Sequence, residues 1–584
     1  MAPYWGAVCS PPVLMNEKSP GPFYGLPAVD INSRTIQSCP RQAGKHNLFD
    51  ERRKFELELL SWSAMWNADL PIHSLPAEVL LQIFKEFLPP TDPSTEALCF
   101  RNDGYVSRST YKRPWTRLMG VCRHWCALIR NAECFWGDIV NSEDPHWLKI
   151  ALPRLGKGFL RARLNDDRHL EGTIPILLKH ADQLKHLNIS ARVAESNSDP
   201  LASLLNSPLP VLASLQMSLQ PSYHHEHPLG RLCFPDKNHP SLTSLKLTRM
   251  SLSWTTSLLG HLRTLSLSSC ELSTPSLALS GFLDILGDGQ HLEDFSLDRF
   301  LSTALSPQSF ASHGRLVTLP KLRHLRLTET PFDIARLLGH INVPNTCSIF
   351  LSGRSNYYDK DVSFISMLPQ ERARVAFVGF TTDVTFVMTR LDNVIYCRSP
   401  LASCELDLRC SAGYAKGDHW LGVGLLQLVA LFGHGQCALT SLDITGQLHT
   451  PHSSIWLKVL AAFPALQTLV LRGYNVFPSS AAQALATPPV VVGDSEQGDP
   501  SRPRVCCPSL KHLNIRGWGW RPATVEAVLD CLGARVALGA LELESLDLTA
   551  HWERAEEKEW VAAWAPYLPR LRGVVGHLNV HYSE

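Results

Sequence analysis

One short frame, P-x-L-x-x-L-x-L, returns so often beyond residue 180 that it limits what the chain can fold into. It stands as PVLASLQM at 210–217, PSLTSLKL at 240–247, PKLRHLRL at 320–327, PALQTLVL at 464–471 and PSLKHLNI at 508–515. Copies without the proline end at Ile189, Leu267, Leu297, Ile444 and Leu548. The leading leucines lie roughly 20 to 45 residues apart, a period typical of stacked repeats. Alternating leucines turn one side of a short strand into a core, and the intervening segment must carry the chain back so that the next strand stacks in parallel. Trp456, Val459, Leu460 and Phe463 before one strand, and Val525, Val528, Leu529 and Leu532 before another, have the spacing of helical returns.

The frame weakens between about 340 and 435. Apolar runs at Ser348–Leu351, Val375–Phe380 and Val384–Met388, with a weak copy at Leu401, Cys404 and Leu406, are read there as degenerate strand repeats. Residues 488–507 read as a loop inserted within one repeat. At the other end, 1–46 are rich in Pro, Gly, Ser and Asn without periodicity and are expected to be disordered. An amphipathic helix over 47–71 follows, with Phe55, Leu59, Trp62 and Trp66 on one side, and it is expected to pack on the next segment.

That segment, 72–140, holds two amphipathic helices. Leu75-Pro76 lead the first, with Glu78 in its first turn where the helix dipole favours a carboxylate. Leu80, Ile83, Phe84 and Phe87 then recur on one face, and Pro89-Pro90 stop the helix. A polar insert at 91–117 separates it from a second helix striped by Leu118, Val121, Cys122, Trp125, Leu128 and Ile129.

In order, Leu75-Pro76, Glu78, Ile83-Phe84, Val121-Cys122-Arg123, Trp125 and Phe135-Trp136 resemble an F-box, although the insert is longer than that family's usual connection. Leu262-x-x-Leu265-x-Leu267-x-x-Cys270-x-Leu272 likewise resembles a leucine-rich repeat. Together the resemblances imply an α/β chain in which a short helical F-box domain precedes a curved leucine-rich-repeat solenoid over 141–584, with parallel strands on its concave face. They imply a substrate receptor of a cullin-based ubiquitin ligase. Leu75, Pro76, Leu80, Ile83, Phe84, Val121, Cys122 and Trp125 would face the Skp-type adaptor, the cullin scaffold would be reached through it, and the repeats would hold an unknown protein target. A non-degradative scaffold of the same architecture is the alternative.

The concave face is assigned from the residues that alternate with the leucines. Arg326, Arg472 and Arg516 fall there and are read as able to receive a phosphate by bidentate pairing, with ordinary surface charge as the other reading. Trp518 and Trp520 follow the last strands but one and are read as interface anchors, with filling of a gap between repeats as the other reading. Mixed signs on this face, and Lys+Arg 55 against Asp+Glu 54 over 584 residues, argue against a nucleic-acid or membrane partner.

Nothing in the chain has the spacing of an active site, and no enzyme, cofactor or metal is expected. Cys122, His124 and Cys126 do not share a helical face, and His224, His225 and His227 have no cysteine partners at finger spacing. No P-loop, dinucleotide fingerprint, GxSxG or HExxH is present. The 16 cysteines stand mostly alone in apolar contexts, the first residues make a poor signal peptide, and the apolar run 421–432 is too short for a bilayer. These features lead to the expectation of a chain with reduced thiols in the cytoplasm, the nucleus or both.

Overall fold

The computed structural model describes residues 43–88, 114–141, 145–164, 170–192, 198–220, 231–233, 236–253, 256–272, 279–304, 316–355, 363–371, 374–375, 377–388, 393–410, 420–433, 439–475, 477–488, 505–519, 521–551 and 557–583. The expectations for the N-terminal segment, for the insert up to residue 113, for most of the 488–507 loop, for the His224–His227 cluster and for Trp520 fall outside the described residues. Two compact units make up the chain, 1–80 and 81–584.

In the first unit, α1 (Ala43–Ala68) covers most of the helix expected over 47–71, and a 3-10 turn at Pro71–Ser74 follows, closed by the Ser74 hydroxyl donating to the Pro71 carbonyl at 2.7 Å. Phe55, Leu59, Trp62 and Trp66 share one side of α1 as the spacing requires, yet they are 60–81% exposed. Spacing places residues on one side of a helix.

Helix α2 (Ala77–Lys85) begins in the first unit and ends in the second. In place of a single second helix, the second unit has a 3-10 segment at Pro114–Gly120, a break at Val121-Cys122, and α3 (Arg123–Asn131). The extended backbone of Cys122 (φ −156°) ends the first segment, and its Sγ accepts the Trp125 N–H at 3.4 Å, so the thiol serves as the N-cap of α3. Phe135 and Trp136 are buried against Trp115, with ring centroids 5.6 and 5.2 Å away, and the Trp136 indole donates to the Ile129 carbonyl at 2.9 Å.

Beyond this helical region, seventeen strands among the described residues form one sheet. The first nine pair in parallel in chain order: β1 (Asp138–Asn141), β2 (Leu160–Leu164), β3 (Leu184–Arg192), β4 (Ser214–Gln220), β5 (Ser244–Thr248), β6 (Thr264–Ser268), β7 (Asp294–Asp298), β8 (His324–Glu329) and β9 (Ser348–Ser355). A meander follows, made of β10 (Asp383–Met388), β11 (Asn393–Arg398) and β12 (Ser403–Cys410). Parallel order resumes with β13 (Ser441–Thr445), β14 (Thr468–Asn475), β15 (His512–Gly519), β16 (Leu543–His551) and β17 (Val575–Ser583).

All ten leucine frames lie on strands of this sheet, and their leucines stack. Leu187, Leu215, Leu245, Leu265, Phe295 and Leu325 are successive register partners and at most 2% exposed. Each such burial contributes about 1.5–3 kcal/mol, so the ladder supplies much of the sheet's stability. After β5, β6 and β7 the chain turns the same way three times. Arg249, Ser269 and Arg299 have φ of +58°, +50° and +50°, and their N–H groups reach the carbonyls of Ser268, Asp298 and Thr328 on the next strand at 2.8, 2.7 and 2.9 Å. The helical returns are present too: α4 (Ser453–Ala462) buries Trp456, Val459 and Leu460, and α5 (Pro522–Ala537) buries Val525, Val528, Leu529 and Leu532.

The 340–435 segment departs from a run of degenerate parallel repeats. Strand β12 pairs in parallel with β9, and β10 pairs in parallel with β13, so β11 runs antiparallel between them and the meander enters the sheet in reverse order. Val384–Met388 and the Cys404–Leu406 copy are strands as expected, whereas the Val375–Phe380 run ends in a short helix, Phe377–Phe380. The apolar run 421–432 lies in a helix, Trp420–Phe432. Among the described residues no helix is long and apolar enough to cross a membrane.

Candidate partner-binding surfaces

Helical geometry separates the residues expected to face an adaptor. Ile83 and Phe84 are consecutive on α2, about 100° apart around its axis, so one is turned outward when the other is turned in. Ile83 is 40% exposed and Phe84 is 1% exposed. The Phe84 ring packs on Trp125 of α3 at 4.6 Å, and Trp125 is half-buried by the contact. Val121, in the break before α3, is 52% exposed, and the neighbouring Cys122 is half-buried by its capping role. In the first unit Pro76 is exposed, Leu75 is half-buried and Leu80 is fully buried.

Leu80 and Phe84 are therefore corrected from surface contacts to core. Side chains without exposed area cannot lose water to a partner, so they hold the helices in shape instead. Two positions outside the expected set join Ile83 on the open side of α2. Val79 is 43% exposed at i−4, and Phe87, one turn beyond Ile83, is 44% exposed. Their four-residue spacing was visible in the sequence, but only burial separates the open apolar side from the filled one.

The sheet face opposite the leucines carries the second surface, and its arginines differ in how far they are committed. Arg472 makes a bidentate pair with Asp443 one strand away, Nη2 to Oδ2 at 2.7 Å and Nε to Oδ1 at 3.0 Å, which raises the guanidinium above its ordinary range. Arg516 donates from Nε to Asn514 Oδ1 at 2.8 Å. Arg326 lies over the Phe350 ring at 4.3 Å. All three stand on this face as the alternation requires, already engaged with neighbours.

Trp518 is corrected from interface anchor to core. It is fully buried between Phe477 at 5.3 Å and Trp564 at 6.3 Å. The register slips between Arg516 and Trp518, and Gly517 sits at φ +72° so close to the Gly473 carbonyl that a Cβ would lie 2.3 Å from its oxygen. That bulge reverses the strand's alternation by one residue and swings the indole inward. The Arg-Gly-aromatic triplets 472–474 and 516–518 were the available signal.

Burial sets the chemistry of the thiols. It pushes Cys270 and Cys531 up to about 11, and Cys347 and Cys507 up to about 12, so these are not nucleophiles at neutral pH. Cys506 and Cys507 pack against Arg535, whose buried guanidinium donates to their carbonyls at 2.9 and 3.1 Å. Among the described residues no group of three His, Cys, Asp or Glu side chains is placed to hold a metal ion.

No curated protein matches the chain. Residues 72–142 match the family model described as F-box-like, which covers α2, the exposed Ile83 and Val121, and the Phe84–Trp125 contact. An F-box-like domain is a protein–protein interaction module that typically binds a Skp-type adaptor, and this chain carries one at residues 72–142.

Proposed function

We propose that this chain is the substrate-recognition subunit of a cullin-based ubiquitin ligase, with the F-box-like domain docking on a Skp-type adaptor and a leucine-rich-repeat array behind it capturing a protein target. The observation that carries this reading is the apolar surface at Ile83, Phe87 and Val121, each 40–52% exposed, within the stretch that matches the family. A folded helical pair gains nothing by leaving such side chains in water, and covering each contributes on the order of 1–2 kcal/mol to a complex. Support for the array comes from ten leucine frames stacked in one sheet and from the turn repeated after β5, β6 and β7. Tethering a target beside a ubiquitin-loaded conjugating enzyme raises its effective concentration, so the chain needs no nucleophile of its own.

Pull-down of a Skp-type adaptor by the full chain tests this. Ile83→Asp with Val121→Asp is expected to reduce adaptor retention at least about 100-fold, because two carboxylates must then be desolvated. Retention equal to that of the unaltered chain refutes the docking assignment. Ubiquitination of co-purified proteins that depends on Ile83 and Val121 tests the ligase role.

A further inference from the structure

The reversed meander creates a second feature on the sheet face. Where β9, β12 and β11 lie side by side, the register sets His324, Ser348, Ser403 and Arg398 in one row across four neighbouring strands. The middle two are short hydroxyls that meet each other, Ser403 Oγ to Ser348 Oγ at 3.3 Å. Long side chains stand at either end of the row. The result is a depression of about 430 Å³ floored by the serines and walled by His324, Arg398 and the half-exposed Tyr396. That volume is in the range of sites that hold a small ligand or one or two side chains of a peptide.

The charges around it are not equally available. Of the carboxylates lining the depression, Asp443 is held by Arg472 in a bidentate pair, Asp383 accepts the Thr382 hydroxyl at 2.7 Å, and Glu405 has an interaction within the fold. Arg326 is stacked on Phe350. Arg398 is exposed and makes no ion pair among the described residues, although Asp383 is its partner across the β10–β11 pair. A guanidinium with its fork free, beside a Ser348 hydroxyl that keeps its own proton while accepting from Ser403, is a receptor for an oxyanion.

We infer that this depression binds an anionic group, a carboxylate or a phosphoryl, carried on a captured peptide, with Arg398 as its charge partner, Ser348 as the floor donor, Ser403 orienting that hydroxyl by donating to it, and Tyr396 against the adjoining apolar part. This rests on the reading of the sheet face as the target-binding side, and it moves anion recognition from Arg472 and Arg516, which are engaged, to Arg398.

Titration of the full chain with phenyl phosphate, benzoate and benzylammonium tests it. At least one of the two anions is expected to bind with a millimolar dissociation constant and the ammonium more weakly, the better anion showing whether the natural group is phosphoryl or carboxylate. Arg398→Gln should weaken anion binding about tenfold or more and Ser403→Asp should abolish it, while Arg516→Gln changes it less than twofold. Preference for benzylammonium, no binding of either anion at millimolar concentration, or anion binding unchanged by Arg398→Gln overturns the assignment. Adaptor retention by Arg398→Gln keeps the two readings apart. Retained adaptor with unaltered anion binding removes this site alone, whereas loss of adaptor by Ile83→Asp with Val121→Asp has no bearing on it.

Discussion

Ile83 and Leu327 are both branched aliphatic residues in regular structure, and they meet opposite environments. Leu327 is fully buried in the ladder, stacked between Leu297 and Leu351 on neighbouring strands. Ile83 is 40% exposed on α2, one residue from a phenylalanine that is sealed. The sheet uses its apolar positions on itself, and the helical domain leaves part of its own unspent. Apolar patterning thus marks two different things, a core already formed and a surface left open to solvent. Burial is what separates them.

The largest test of this contrast is Leu327→Ala, which should cost about 2–5 kcal/mol of stability because the neighbouring strands cannot close around the gap. The urea midpoint reads this, and a loss below about 1 kcal/mol would mean that the ladder is not close-packed there. Second is Glu329, two residues on. Its Oε1 accepts the N–H groups of Phe300 and Leu301 at 2.6 and 3.1 Å, while Oε2 is buried with no hydrogen-bond partner among the described residues. Burial pushes this carboxyl up from 4.5 to about 7. The folded state therefore holds a proton that the unfolded chain has released, and the resulting stabilisation is complete below pH 4.5 and lost as pH rises through about 7. Glu329→Gln keeps the acceptor for both N–H groups and should remove a slope worth about 3 kcal/mol between pH 4.5 and 8. An unchanged stability profile across that interval would contradict it.

Smaller still is Arg472→Ala, expected to cost up to about 1 kcal/mol since the guanidinium of the Asp443 pair is 43% exposed and screened by solvent. Its effect should shrink in molar salt, and a salt-independent loss would show that the stem packs rather than pairs. The smallest effect closes the comparison: Ile83→Asp with Val121→Asp should change the stability of the chain by no more than about 0.5 kcal/mol. A larger destabilisation would place these residues in the core and erase the difference between the two regions.

Much of the architecture was legible because it repeats. A frame of leucines at alternate positions has one solution as a strand, and ten copies have one solution as a stack, so strands β3 to β8 and β13 to β16 lie where their frames do. Legibility failed where the period failed. Nothing in 393–398 says that this strand runs backwards, because direction follows from the lengths of the connections and from which neighbours remain unpaired. The single helix read through Val121 missed the Cys122 cap, which depends on one backbone conformation.

Local spacing by itself determined which residues lie on strands, which side of each strand is apolar, and which stretch resembles an interaction module, since periodicity is a property of neighbours in the chain. Only the tertiary structure decided that Phe84 and Trp518 are core, that Ile83 and Val121 are surface, and that Arg398 is open while Arg472 is paired. Those distinctions depend on what lies across from a residue, and distant segments supply it. A bulge at Gly517 is enough to turn an anchor into filling.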